Sequence, residues 1–342
     1  MIKNNQLTPT VSICIPSYNH SRYIQSCLES VFAQTYQNIQ LIVIDDGSTD
    51  NSPDIIEKML KNCPFESELV VRPNKGIAST LDEGLEMARG EYLAVLASDD
   101  LWLPSFLENR VNQLQNRPNA VLSYGHCYLI DENDKIYSST QDWAEYEDGN
   151  VRNMLLTKYM PFGPTFVYRK AALEKQKWNP DIFAEDYELF LRLHLLGEFA
   201  FEDSILSGYR IHSTNVSKNT SALIQGKVQA FELNAKDLEL STKELADVKL
   251  KLNWETVDMY FYSGRRLKAI KTALQYSHIQ IPLRTKLWMF IKLLTPNLLI
   301  ETWRKRATGY NHVRQEIDFK DLIAEQIRMC QTPRKVAGEV KK

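Results

Sequence analysis

Long apolar runs are missing from this chain. No stretch of about 18 uninterrupted apolar residues occurs, so no membrane-spanning helix is expected. The first ten residues are polar and lack the apolar centre of a secretion signal. Cysteine is scarce, five in 342 residues, odd in number and without metal-type pairing. Cys14, Cys27, Cys63, Cys127 and Cys330 therefore read as reduced thiols, and the expected compartment is the cytoplasm. A net charge of −2 leaves no global excess of base to suggest nucleic acid. No Gly-x-Gly-x-x-Gly follows the first apolar run, and no Gly-Lys-Ser/Thr occurs. The usual dinucleotide and P-loop phosphate cradles are thereby excluded.

What is present is ordinary for a soluble globular protein: 44% hydrophobic and 25% charged residues. The length suits one large domain and a smaller one. Val11–Ile15, Gln40–Ile44 and Glu68–Val71 read as strands, the first stopped by Pro16. Ile24, Leu28, Val31 and Phe32 share one helical face, Ser52-Pro53 looks like a capped helix start, and Ile77–Ala88 is a third helix ended by Gly90. Tyr92-Leu-Ala-Val-Leu-Ala-Ser then reads as a strand buried on both faces, leaving the sheet at Asp99-Asp100. Strands alternating with helices imply βαβ units and a mostly parallel sheet, an α/β fold with helices on both faces. Right-handed connections open successive strand ends on one edge, so Asp45, Asp46, Asn74, Asp99 and Asp100 are expected together there.

Adjacent carboxylates repel unless a cation sits between them. A divalent metal carrying a phosphate ligand is the natural partner, because Mg²⁺ and Mn²⁺ prefer hard oxygen donors. Farther on, a helix is expected from Pro104 to about Arg117 and a strand over Ala120–Ile130. A turn follows at Asp131–Lys135, then a polar, mobile loop over Gln141–Asn150, and a short strand over Thr165–Tyr168. Glu185-Asp186 opens a helix whose inner face carries Leu189, Phe190, Leu193 and Leu196. Tyr209-Arg210-Ile211-His212 follows it. Trp102 reads as packing rather than as a stacking surface for an acceptor. The pattern turns helical from about Ala222, with a capping box at Ser241-x-x-Glu244 and a helical hairpin over Trp254–Tyr276. A boundary near Ser217–Ser221 divides the chain into 1–218 and 219–342.

Several motifs then fall in one order: Val11-Ser-Ile-Cys-Ile-Pro-Ser-Tyr-Asn19, Ile44-Asp-Asp-Gly-Ser-Thr-Asp50, Asn74-Lys-Gly76, Gly90-Glu-Tyr-Leu, Ser98-Asp-Asp100 and Glu185-Asp-Tyr-Glu-Leu-Phe-Leu-Arg192. This ordered set, over residues 10 to 215, resembles family 2 glycosyltransferases of the GT-A fold. The resemblance implies a nucleotide-sugar half at about 10–100, an acceptor half at about 101–218, and a helical extension over 219–342. It implies inverting transfer of a sugar from a nucleotide donor, UDP-linked by default, to a hydroxyl acceptor with Mn²⁺ or Mg²⁺. Carried over by position, Pro16 and Tyr18 border the base, and Asp46, with Asp45, hydrogen-bonds it. Asn74 and Gly76 line the nucleotide, and Asp99 and Asp100 look like the metal and ribose ligands. Asp186 matches the general base beside Glu185. His212 is expected near the diphosphate or metal, and Arg210 as a phosphate partner. The family usually carries an Asp two residues before Asp99, and here that position is Ala97.

The expected acceptor is a lipid-linked saccharide or a growing surface polysaccharide. Two rival readings are a sugar nucleotidyltransferase and a non-catalytic nucleotide-sugar-binding module, the latter motivated by Ala97. Residues 261–306 hold ten Lys/Arg against the single acid Glu301. Basic residues interleaved with Leu287-Trp-Met-Phe-Ile-Lys-Leu-Leu294 suit docking on the anionic inner face of the cytoplasmic membrane.

Overall fold

A computed structural model describes residues 10–157, 159–262, 265–275, 291, 295 and 317–331. The N-terminal half alternates strands and helices: β1 (Val11–Ser17), α1 (Ile24–Phe32), β2 (Ile39–Asp45), α2 (Ser52–Leu60), β3 (Glu66–Val71), α3 (Ile77–Met87) and β4 (Tyr92–Val95). There follow β5 (Leu101–Trp102), α4 (Phe106–Asn116), β6 (Ala120–Ile130), β7 (Ile136–Ser139), α5 (Arg152–Thr157), β8 (Val167–Arg169), α6 (Lys170–Leu173), α7 (Glu185–Leu193) and the long β9 (Glu198–Arg210). Helices α8 (Thr220–Asn234), α9 (Thr242–Tyr262), α10 (Arg266–Gln275) and α11 (Phe319–Gln331) complete the described chain.

One sheet runs in the order β3-β2-β1-β4-β8-β6-β9-β5, with β7 added to β6. Its first four strands are all parallel, so their C-terminal ends open on one edge. Beyond β4 the pairing is mixed, β8 antiparallel to both β4 and β6, and β6 parallel to β9. Helices cover both faces because successive strand residues point to opposite sides. Ile13, Ile15, Leu41 and Val43 pack with Leu28, Val31, Phe106 and Leu107, whereas Cys14, Ile42, Ile44 and Leu93 pack with Leu81, Tyr168, Phe190 and Phe231. Each such buried side chain contributes about 1.5–3 kcal/mol. Near-continuous apolar runs in β1 and β2 are therefore what a strand covered on both faces needs.

Several local expectations change. Pro16 does not stop β1, which runs on to Ser17. Leu96 N–H donates to Cys14 O at 3.1 Å, so the backbone groups of the even-numbered residues face β4. Pairing with β4 ends at Cys14, and the N–H that Pro16 lacks falls where no partner strand remains. Ser52 is the first residue of α2 rather than its cap; its hydroxyl donates to Asp50 at 2.5 Å and accepts from the His20 amide at 3.1 Å. Helix α7 ends at Leu193, which leaves Leu196 exposed, and Leu191 is buried instead. The loop expected to be mobile is tied down. Asp148 pairs with Arg117 and accepts the Phe201 amide at 2.9 Å, while Gly149 bridges to Phe199. Trp102 is fully buried, stacked on Phe106, its indole N–H donating to Pro164 O at 2.8 Å.

The Ser241–Glu244 capping box is present, with reciprocal bonds of 2.9 and 3.2 Å, and α9 and α10 form a helical hairpin. No break in the core marks Ser217–Ser221: Ile224, Ala230, Phe231 and Leu252 belong to the same apolar cluster as Phe190. Cys14, Cys27, Cys63 and Cys127 are free thiols. Among the described residues no helix is long and apolar enough to cross a membrane. The basic segment 261–306, Leu287–Leu294 included, lies outside the described residues except for 261–262, 265–275, 291 and 295.

Candidate active site

The first cluster forms where β1 and β2 end. Register places Ser17 opposite Asp45. The Asp45 carboxylate accepts from the Ser48 amide at 2.8 Å, the Ser48 hydroxyl at 2.7 Å and the Ser17 hydroxyl at 3.0 Å. Asp45 is thus buried and closes its own turn, an Asx-type arrangement. Asp46 reaches across to the loop after β3, accepting the Lys75 and Gly76 amides at 2.8 and 2.9 Å and the Arg72 guanidinium. Arg72 in turn donates to Glu83 at 2.7 Å and to Thr80 at 2.9 Å. Gly47 sits at φ +80°, and a Cβ there would lie 2.8 Å from the Asn74 amide nitrogen, so only glycine lets the two loops meet. Of the two residues expected to border a base, Tyr18 is exposed and Pro16 is buried inside β1. Asn74 is exposed on the same rim.

The second cluster forms after β4. His212 Nε2 lies 2.8 Å from Asp99 Oδ2, and His20 Nδ1 lies 3.8 Å from Asp99 Oδ1 and 2.8 Å from Ser98 Oγ. Ligand atoms of His20, Asp99 and His212 all fall within 4.8 Å of one another. Burial opposes charge on Asp99, yet the His212 hydrogen bond and the nearby His20 outweigh it and hold the carboxyl below its usual range. Burial lowers the His20 pKa, which favours the neutral, ligating imidazole. One carboxylate and two imidazoles fit a divalent transition ion such as Mn²⁺ better than Mg²⁺, which prefers oxygen alone.

Asp100, expected as a possible metal ligand, is turned the other way. It is buried and accepts the Arg210 amide at 2.8 Å, and burial, then the charge of Asp99, pushes its pKa well up. Arg210 departs from its expected role as a phosphate partner. Its side chain is 1% exposed and donates to Asp99 O at 2.7 Å and Asp131 O at 3.0 Å, pairs with Asp134 at 2.6 Å and stacks over Tyr23. A guanidinium committed in this way holds the strand end rather than a ligand. Ala97 offers only its carbonyl, which accepts the Asp100 amide at 3.0 Å.

The third cluster is at the start of α7. Trp178 donates its indole N–H to Asp186 Oδ1 at 3.1 Å. Burial raises the Asp186 pKa, and the Trp178 bond only partly offsets this. Neighbouring Glu185 is pushed up to about 8 by burial and then by the Asp186 charge. At neutral pH Glu185 is therefore mostly protonated.

Sequence reasoning missed His20, Arg72 and Trp178. His20 stands right after Ser17-Tyr18-Asn19 at a strand end, and testing every strand-end histidine as a ligand would have found it. Arg72 directly follows β3 and was open to the same test. Trp178 reaches Asp186 through a loop that carries no periodic signal.

Residues 12–176 match the family model described as Glycosyl transferase family 2. An uncharacterized glycosyltransferase of Rickettsia typhi is 30% identical over 230 residues, 64% of this chain and 70% of the relative. Chondroitin synthase of Pasteurella multocida is 29% identical over 210 residues, 61% of this chain and 21% of the synthase. The chain thus spans about two thirds of the length of some curated relatives, such as the Rickettsia typhi protein, and about a fifth of others, such as the chondroitin synthase. Among solved structures, mannosyltransferase PcManGT from Pyrobaculum calidifontis, in complex with GDP-Man and Mn²⁺, superposes with a TM-score of 0.60 at 16% identity, over 96% of this chain and 89% of that one. S. aureus TarS 1-349 in complex with UDP-GlcNAc gives 0.56 at 17% identity, over 95% and 93%. At such identities these structures establish the shared fold alone.

Proposed function

Because this chain belongs to glycosyl transferase family 2, we propose that it transfers a sugar from a nucleotide-sugar donor to a hydroxyl of a saccharide or lipid-linked saccharide, with inversion at the anomeric carbon. The observation that carries the reading is the His20–Asp99–His212 set at the open ends of the parallel strands, where α/β sheets take their ligands. Asp99, His212 and His20 would hold a divalent ion, Mn²⁺ in preference to Mg²⁺. Such an ion supplies positive charge against the departing nucleoside diphosphate.

Asp186 accepts the proton of the acceptor hydroxyl as that oxygen bonds the anomeric carbon. The carbon–phosphate-oxygen bond breaks, and its electron pair leaves with the diphosphate. A carboxylate whose basicity is raised by burial is suited to that proton. Glu185, neutral below about pH 8, spares Asp186 a second charge at its side. Tyr18 and Asn74 supply the exposed rim for the base, and Asp46, fixed by Arg72 and two amides, sets the loop that carries Asn74 and Gly76. UDP is favoured as the nucleotide, in keeping with TarS bound to UDP-GlcNAc. A growing bacterial polysaccharide is favoured as acceptor, in keeping with the chondroitin synthase relative.

A thermal-shift panel of nucleotide sugars with and without Mn²⁺ tests donor and metal together, because a bound ligand raises the melting point by mass action. One nucleotide class should stand out and need the ion. No shift with any donor would overturn the donor reading, and a retained anomer in the product, read by NMR, would overturn inversion.

A further inference from the structure

The last described helix, α11, docks on the β6–β7 turn and on the strand that follows the carboxylates of the second cluster. Its entry is stitched to the turn between β6 and β7. The Ile136 amide donates to Ile317 O at 3.0 Å and the Phe319 amide to Asp134 O at 2.9 Å, with Lys135 and Asp318 forming an antiparallel bridge. Phe319 is fully buried among Leu101, Leu103, Ile130 and Ile136. Leu101 directly follows Asp100. Gly208 on β9, paired with Leu101, leaves the space: a Cβ there would come within 3.0 Å of the Phe319 ring. Two turns along α11, Gln326 accepts from the Ser105 hydroxyl at 3.2 Å.

The polar contacts lead directly inward. Lys320 Nζ lies 2.9 Å from Asp134 Oδ2, and Asp134 Oδ1 lies 2.6 Å from the Arg210 guanidinium. Arg210 holds Asp99 through its backbone carbonyl and Asp100 through its carboxylate. Asp134 carries φ +67°, a backbone conformation that a non-glycine residue adopts at a cost, and the α11 entry bonds directly to it. Two contacts thus lead to the stretch 99–101, an apolar one from Phe319 to Leu101 and an ionic one from Lys320 by way of Asp134 and Arg210.

We infer that α11 is a clamp in cis, with Phe319 and Lys320 as positioning residues that fix Asp99 and Asp100, by way of Asp134 and Arg210, in the geometry the metal and donor require. The part concerning metal rests on the function proposed above; the mechanical link does not. An undocked α11 leaves Leu101, Leu103 and Ile130 open to water and Asp134 with one cation instead of two. The strand end then loosens, and affinity for the ion falls without any ligand being altered. Any event that lifts α11 would therefore switch the site off.

The test compares the full-length wild type with Phe319→Ala, Lys320→Ala and Lys320→Arg, and with Leu114→Ala in α4 as a core substitution away from α11. Lys320 is half exposed, so its removal leaves the fold intact. Amide hydrogen exchange is followed by mass spectrometry over peptides covering 97–103 and 205–213. About tenfold faster exchange there is expected in Phe319→Ala and Lys320→Ala, with wild-type rates in Lys320→Arg and Leu114→Ala. Mn²⁺ alone is then titrated by electron paramagnetic resonance, and affinity should fall about tenfold in the first two variants only. Unchanged exchange in both alanine variants, or equal acceleration in Leu114→Ala, would overturn the clamp. Accelerated exchange in a protein whose wild type does not bind Mn²⁺ would sustain the clamp and sink the metal reading instead.

Discussion

Replacing Glu185 by Gln should make the protein more stable at neutral and alkaline pH while leaving it unchanged in acid. The side chain sits at the start of α7, where burial and the Asp186 charge lift its pKa from 4.5 to about 8. The folded state therefore holds the proton longer than the unfolded chain. The stability tied to this group is intact below about pH 4.5 and is lost as pH rises through about 8. One pKa unit corresponds to about 1.4 kcal/mol. Integrated over the shift, the ionisable group costs about 3 kcal/mol at pH 7 and approaches about 5 kcal/mol at pH 9. Gln keeps the volume and cannot ionise, so Glu185→Gln should recover that amount. Urea unfolding of both proteins at pH 4.5, 7 and 9 reads it directly, from midpoints at constant m. The expected difference is near zero at pH 4.5 and grows with pH. A difference that is constant across the range, or largest in acid, would refute the buried-pair electrostatics.

Asp186→Asn should retain the fold and nucleotide-sugar binding but lose roughly 10²–10⁴-fold in transfer rate; turnover at the wild-type rate would remove Asp186 from the mechanism. His20→Ala should weaken Mn²⁺ binding at least about tenfold, measured by titration calorimetry, while leaving the melting point without metal almost unchanged. Arg72→Ala breaks a largely buried ion pair and strips Asp46 and Glu83 of their shared cation. A loss of about 3 kcal/mol in urea unfolding is expected. In the same variant the KM for donor should rise while kcat is spared, since in the proposed site the loop it holds borders the nucleotide and not the reacting atoms.

Much of the first half was legible because its signals are local. Apolar strands β2 and β4 lead into Asp45-Asp46 and Asp99-Asp100, helices start at Ser52-Pro53 and after Gly76, and the alternation of strands with helices implied the parallel arrangement on which the open edge depends. The capping box at Ser241 was legible for the same reason, since both partners lie within one turn. Strand β9 was not. Glu202, Asp203 and Ser204 interrupt its alternation, and register shifts opposite β6 near Gly125 and His126 carry it past them, which only the partner strand can reveal. Arg210 was expected as a phosphate partner because a motif resemblance does not report burial. Packing over Tyr23 and against Asp134 turned it inward.

The sequence alone determined the fold class and the strand ends that carry carboxylates, because each depends on residues close together in the chain; Asp186 as candidate base came from the resemblance that the ordered motifs carry. Only the tertiary structure decided which of two adjacent acids faces the histidines. It alone brought His20, Asp99 and His212 from three separate segments to one point, and seated Phe319 against the strand that follows Asp100. Those outcomes depend on which surfaces exclude water together, and that is a property of the packed sheet and its helices, not of any window of residues.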